Sequence, residues 1–152
     1  MTFATLREVL DSLVQAHEKL RQFFRRSDFN FNDQQEQLLA ESLEQDQIRI
    51  EEAIKDYFSN DSFADVLRMR IQFAFEDGID RQLKILEQVG ETNFTAMVDS
   101  VAQFYSAVSS FVARVNEQAE SEAASRLLDD LEQMESEAAK SLSGRLNGLY
   151  DC

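Results

Sequence analysis

Four residues are placed to carry chemistry in this chain, because each interrupts an otherwise apolar helical stripe: His17, Asp46, Tyr105 and Glu135. At helical 3–4 spacing the first stripe runs Leu6, Leu10, Leu13, His17, Leu20, Phe24, and the second Leu39, Leu43, Asp46, Ile50, Ala53, Tyr57. The third runs Phe94, Val98, Val101, Tyr105, Val108, Val112, Val115, and the fourth Ala124, Leu128, Leu131, Glu135, Ala138, Leu142. Mid-helix positions of helices packed side by side share one level, so the four side chains are expected to meet in one buried polar layer. An imidazole, two carboxylates and a phenol can do two things there. They can form a closed hydrogen-bonded network, since a buried charge needs a partner or a proton. Alternatively, His17, Asp46 and Glu135 can hold a single metal ion, with Tyr105 as a fourth ligand. Replacing His17 by Ala separates the two: the network loses about 1–3 kcal/mol of stability, whereas a metal centre loses its metal.

Other chemistry lacks its side chains. His17 is the only histidine, so no Ser/His/Asp triad can be assembled with confidence around any of the serines. Val14 stands three residues before His17, so the chain has no Glu-x-x-His pair. The four glycines, Gly78, Gly90, Gly144 and Gly148, are too scattered for a phosphate-binding loop. Cys152 is the only cysteine, which rules out an internal disulfide and reads as an inert exposed thiol.

The elements that must position these residues are helices. The chain contains no proline and only four glycines in 152 residues, so little interrupts a helix. Periodicity predicts long helices over Phe3–Arg26, Asp33–Phe58, Asn93–Val115 and Ala119–Leu149. Thr5 with Glu8 forms a capping-box pattern for the first, and Asn32 with Gln35 can cap the second. The short Ser27–Phe31 connection makes these two antiparallel neighbours. Gly90 is placed to end a short helix over Gln82–Val89, and Ser62 with Asp65 can start another. Between them Leu67, Met69, Ile71, Phe73 and Phe75 alternate with mostly polar neighbours. Alternation is a strand signal, but no partner strand is evident, so Ser59–Glu91 is read as a partly extended crossover. Such a crossover delivers the third helix parallel to the second. The expectation is all-α, one domain over residues 1–152.

Composition narrows the partners. A net charge of −14 argues against nucleic acid and anionic membrane surfaces, both of which attract Lys and Arg. No apolar run reaches the roughly 18–20 residues that cross a bilayer, and the first residues lack a secretory pattern. A cytoplasmic protein without cofactor is expected. The acidic run of Glu117, Glu120, Glu122, Asp129, Asp130 and Glu132 is either a solvated helix face or a surface for a basic partner. Phe23, Phe29, Phe31, Phe73 and Phe75 either close the core or form a dimer patch. A homodimer or another protein partner is therefore expected.

The chain resembles the ferritin-like, rubrerythrin-related four-helix bundles. The resemblance rests on Ala16–Phe24, Leu43–Ile54 and Leu131–Ala138, and on the long crossover between the second and third helices. It implies a bundle built around a di-iron centre, with a glutamate from each of two helices and a Glu-x-x-His pair from each of the others. Aligned to that pattern, the first-helix glutamate corresponds to His17 and the third-helix glutamate to Tyr105. The second-helix pair corresponds to Leu43 and Asp46, and the fourth-helix pair to Glu135 and Ala138. One of six ligands remains. The resemblance thus implies a degenerate site and a non-catalytic member of the family, acting as an interaction, regulatory or scaffold module. A metal-binding or redox protein with a rebuilt centre is the alternative.

Overall fold

The computed structural model describes residues 2–24, 34–73, 79–89 and 94–150. The chain is mostly helical, as its lack of helix breakers predicts. Its elements are β1 (Thr2–Thr5), α1 (Leu6–Phe24), α2 (Gln34–Ser59), a 3-10 turn (Asp61–Phe63), α3 (Ala64–Leu67), β2 (Arg70–Phe73), α4 (Arg81–Val89), α5 (Phe94–Asn116) and α6 (Glu122–Tyr150). The Ser27–Phe31 connection, the Asn32 cap, Phe29, Phe31, Phe75, Gly78, Gly90 and Cys152 lie outside the described residues, as does the side chain of Phe73.

The alternating stretch does have a partner strand. β2 pairs antiparallel with β1, with Phe3 opposite Gln72 and Ala4 opposite Ile71. The first helix accordingly begins at Leu6 rather than at Phe3. Thr5 is its N-cap: the Glu8 backbone N–H donates to Thr5 Oγ1 at 3.2 Å, which requires a non-helical backbone at Thr5 and leaves Thr2–Thr5 free to pair. The Leu6 N–H, one of the donors a helix start leaves over, donates to the Met69 carbonyl at 2.7 Å. Alternation then does what it predicts: Leu67, Met69 and Ile71 are buried while Arg68, Arg70 and Gln72 face outward.

A two-stranded ribbon needs support. Ile71 gives it on one side by full burial in the core. On the outer edge Gln118, just past α5, uses its side-chain amide as a third strand would. Its Oε1 accepts from the Gln72 N–H at 2.8 Å and its Nε2 donates to the Gln72 carbonyl at 2.6 Å. Gln118→Ala should cost no more than about 1 kcal/mol, because water can replace both bonds. The Gln72 amide should nonetheless exchange its hydrogen measurably faster in the variant, and unchanged exchange would show that the edge does not depend on this contact.

Two other starts differ from the sequence-based expectation. Asn60, not Ser62, caps the turn after α2, with its Oδ1 accepting from the Ser62 N–H at 3.0 Å. The last helix begins at Glu122, later than Ala119, because the Ser121 hydroxyl accepts from the Ala124 N–H at 3.1 Å.

Contacts fix how the long helices run. Arg7, near the start of α1, stacks over the Phe58 ring near the end of α2 at 4.6 Å, so these two run antiparallel. Asn116 ends α5 and donates to Asp129, near the start of α6, at 2.6 Å. The middle of α2 meets the far part of α6 through Asp46 and Arg145, and Tyr57, near the end of α2, feels the charge of Asp130 near the start of α6. Helix α6 therefore runs against both α5 and α2, which leaves α2 and α5 parallel. Their apolar faces share one core, where Leu6, Leu13, Leu20, Leu43, Ile54, Phe104, Val108 and Leu131 are all but fully buried.

Candidate functional site

The centre of this core holds one polar side chain from each long helix. His17 of α1 lies between Gln47 of α2 and Glu135 of α6, with Nδ1 2.5 Å from Gln47 Oε1 and Nε2 2.6 Å from Glu135 Oε1. Gln47 Nε2 donates to the Tyr105 hydroxyl of α5 and, at 3.3 Å, to the carbonyl of Leu43 one turn back. All four side chains are fully buried. Phe104 closes the group with its ring edge-on to the imidazole, centroids 5.3 Å apart.

The direction of each bond follows from one fixed acceptor. A backbone carbonyl only accepts, so the side of Gln47 that faces Leu43 must be its NH₂ group. Its carbonyl oxygen then faces His17 and accepts from Nδ1–H. Glu135 accepts on the other side, so His17 is bracketed by two acceptors, an arrangement that suits the doubly protonated ring. Burial, the largest single influence, works against that charge. The charge and hydrogen bond of Glu135 and the Gln47 bond outweigh it, with a smaller push from Glu51, and hold the imidazole above the usual histidine pKa. The Tyr105 phenol is pushed far above its ordinary range, first by burial and then by the carboxylates of Asp46 and Glu135, so it stays neutral. Glu135 Oε2 is buried with no hydrogen-bond partner among the described residues.

Three of the four residues singled out from the stripes, His17, Tyr105 and Glu135, thus come together. Asp46 is buried as well, but it is not hydrogen-bonded into this group. Its Oδ1 accepts from Arg49 at 2.7 Å and its Oδ2 from Arg145 of α6 at 3.1 Å. Gln47 stands where Asp46 was expected. The reason is the cost of burial: a neutral amide with all its hydrogen bonds made is cheaper to keep in a core than a second carboxylate beside Glu135. Asp46, one residue and about 100° away around the helix, turns towards α6 and its guanidinium. On the opposite flank Glu51, also buried, turns towards α1, where Arg21 Nε and a terminal N–H reach it at 2.8 and 3.3 Å.

This donor set does not fit a di-iron centre. Both imidazole nitrogens are engaged by side chains, and the central group contains one carboxylate. Among the described residues no three His, Cys, Asp or Glu side chains stand together in a way that could hold a metal ion. The residues that sequence reasoning missed are Gln47, Arg145 and the Arg21–Glu51 pair. Arg145 carried a signal, since it continues the fourth stripe three residues beyond Leu142. Among the described residues no helix is long and apolar enough to cross a membrane. No family model, curated protein or solved structure matches the chain.

Proposed function

We propose that this chain is a non-catalytic, ferritin-like four-helix bundle, α1, α2, α5 and α6, with the long connection between its second and third helices as the crossover. Its role is that of a protein-interaction, regulatory or scaffold module in the cytoplasm. The observation that carries this reading is the central group, in which both nitrogens of the one histidine are spent on Gln47 and Glu135. A fully buried side chain with no free valence holds a core together and has nothing to offer a substrate. The parallel course of α2 and α5 supports the bundle, because only a long connection permits it.

Function then falls to the surface. Among the described residues only Phe3 and Leu38 are large hydrophobics that stand exposed, so a partner, whether a second copy or another protein, meets a mainly polar face. Glu117, Glu120, Glu122, Asp129 and Asp130 are exposed around the turn from α5 to α6, a surface suited to basic groups. The second reading, a rebuilt metal centre, is favoured by the unpartnered Glu135 Oε2.

Elemental analysis decides between them. The chain, purified without chelator and then offered ferrous iron, manganese or zinc, should retain only trace metal, equal in wild type and His17→Ala. Stoichiometric metal that disappears in His17→Ala would overturn the non-catalytic reading in favour of the metal centre.

A further inference from the structure

A cleft of about 210 Å³ opens between α2 and α6, outside the central group, and its lining combines Ile50, Met134, Ala138 and Ser141 with two arginines, Arg49 and Arg145, and two carboxylates, Asp46 and Glu137. Its volume lies below the roughly 300 Å³ at which sites for drug-sized ligands begin, so it suits a small molecule. Its chemistry is divided. Ile50, Met134 and Ala138 offer an apolar surface, and the two guanidiniums a charged end. Asp46, almost fully buried, holds both arginines in place through one N–H each. A guanidinium has five N–H donors in a fixed fork, so among the described residues each keeps most of its capacity unused. The two arginines and the two carboxylates balance in charge, so what the arginine end offers a ligand is unused N–H donors rather than a net positive charge. Glu137, on the exposed side, accepts instead from Gln133 at 2.9 Å.

We propose that this cleft binds a small carboxylate carrying a short apolar chain. The carboxylate is taken by the free N–H groups of Arg49 and Arg145, for which its two oxygens are the geometric match. The apolar chain lies on Ile50, Met134 and Ala138. Asp46 is a positioning residue: it draws both guanidiniums to one carboxylate before any ligand arrives, which lowers the cost of ordering two long side chains on binding. The site does not depend on the interaction-module reading, because neither the central group nor the acidic surface contributes to it.

The test is a titration with hexanoate, followed by backbone amide NMR. Shifts should be confined to the middle of α2 and the Met134–Arg145 part of α6. Arg145→Met keeps the stem of the side chain and removes its donors, and it should weaken hexanoate binding about tenfold or more. The imidazole signals of His17 serve as the folding control, since they report the core and not the cleft. Hexanol should bind no better to wild type than to Arg145→Met. Overturning results are the absence of shifts with hexanoate, shifts spread over unrelated surfaces, or equal binding by Arg145→Met when its His17 signals are unchanged. Equal affinity for hexanol and hexanoate would likewise overturn the assignment of the arginines. If Arg145→Met loses its His17 signals, Arg49→Met, on a largely exposed side chain, is read in its place with the same outcomes.

Discussion

Replacing Glu135 by alanine should destabilise the fold by about 3–5 kcal/mol, the range for removing one partner of a buried ion pair. The loss follows from what remains behind. His17 is fully buried and its Nε2 has a single acceptor, Glu135 Oε1 at 2.6 Å. Without it the ring must either keep a proton with no counter-charge or give it up, and in both cases a buried nitrogen goes unpaired. Replacing the pair together should behave differently. Leucine at both positions removes the charges along with their desolvation cost, so the double variant should be more stable than Glu135→Ala although it departs further from the natural sequence. Urea denaturation of the three proteins measures this. A cost for Glu135→Ala below about 1 kcal/mol, the range of exposed pairs, would put His17 and Glu135 in contact with water and dismantle the central group.

That group also shows where sequence reading works and where it stops. His17, Tyr105 and Glu135 each fall in a stripe whose neighbours at three and four residues are apolar, and such a stripe faces the core. Helix α2 defeats the same reasoning because Asp46 and Gln47 are adjacent and both are buried. Spacing of three or four admits either one. What separates them is the location of positive charge, and Arg145, which draws Asp46 outward, lies on another helix 99 residues further along. Periodicity within one helix contains no such information. The strand pair is a second instance. Alternation over Leu67–Phe73 was legible, but its partner is Thr2–Thr5, four residues that continue smoothly into a helical pattern. The Thr5 cap marked the boundary, since a residue that caps a helix is itself non-helical. The Gln118 amide that completes the sheet edge had no sequence signature at all, because one side chain hydrogen-bonding to a distant backbone has no period.

Stability should decline as pH rises above the ordinary histidine pKa of about 6.5, and His17 is the cause. In the unfolded chain its imidazole has the ordinary histidine pKa of about 6.5. In the fold Glu135 and Gln47 raise it above that value despite burial, with Glu51 adding to the effect. Between the two values the folded chain holds a proton that the unfolded chain has lost, so removing protons favours unfolding. The contribution is complete below the unfolded pKa and disappears as pH passes the folded one, at about 1.4 kcal/mol for each tenfold gain in proton affinity on folding. Tyr105 and Tyr57 act in the same direction at higher pH. Their phenols are held above the ordinary value of 10.0, so a further decline begins where the unfolded chain starts to ionise them. The single histidine makes attribution direct, because the imidazole proton signals of the chain belong to one residue. Those signals should still report a charged ring at a pH where an ordinary histidine is neutral. The fall in stability across the same range should vanish in His17→Leu. A ring that titrates at or below the ordinary value would mean that Glu135 does not hold its proton. The contribution of His17 to stability would then be flat or rise with pH through the range where it is expected to fall.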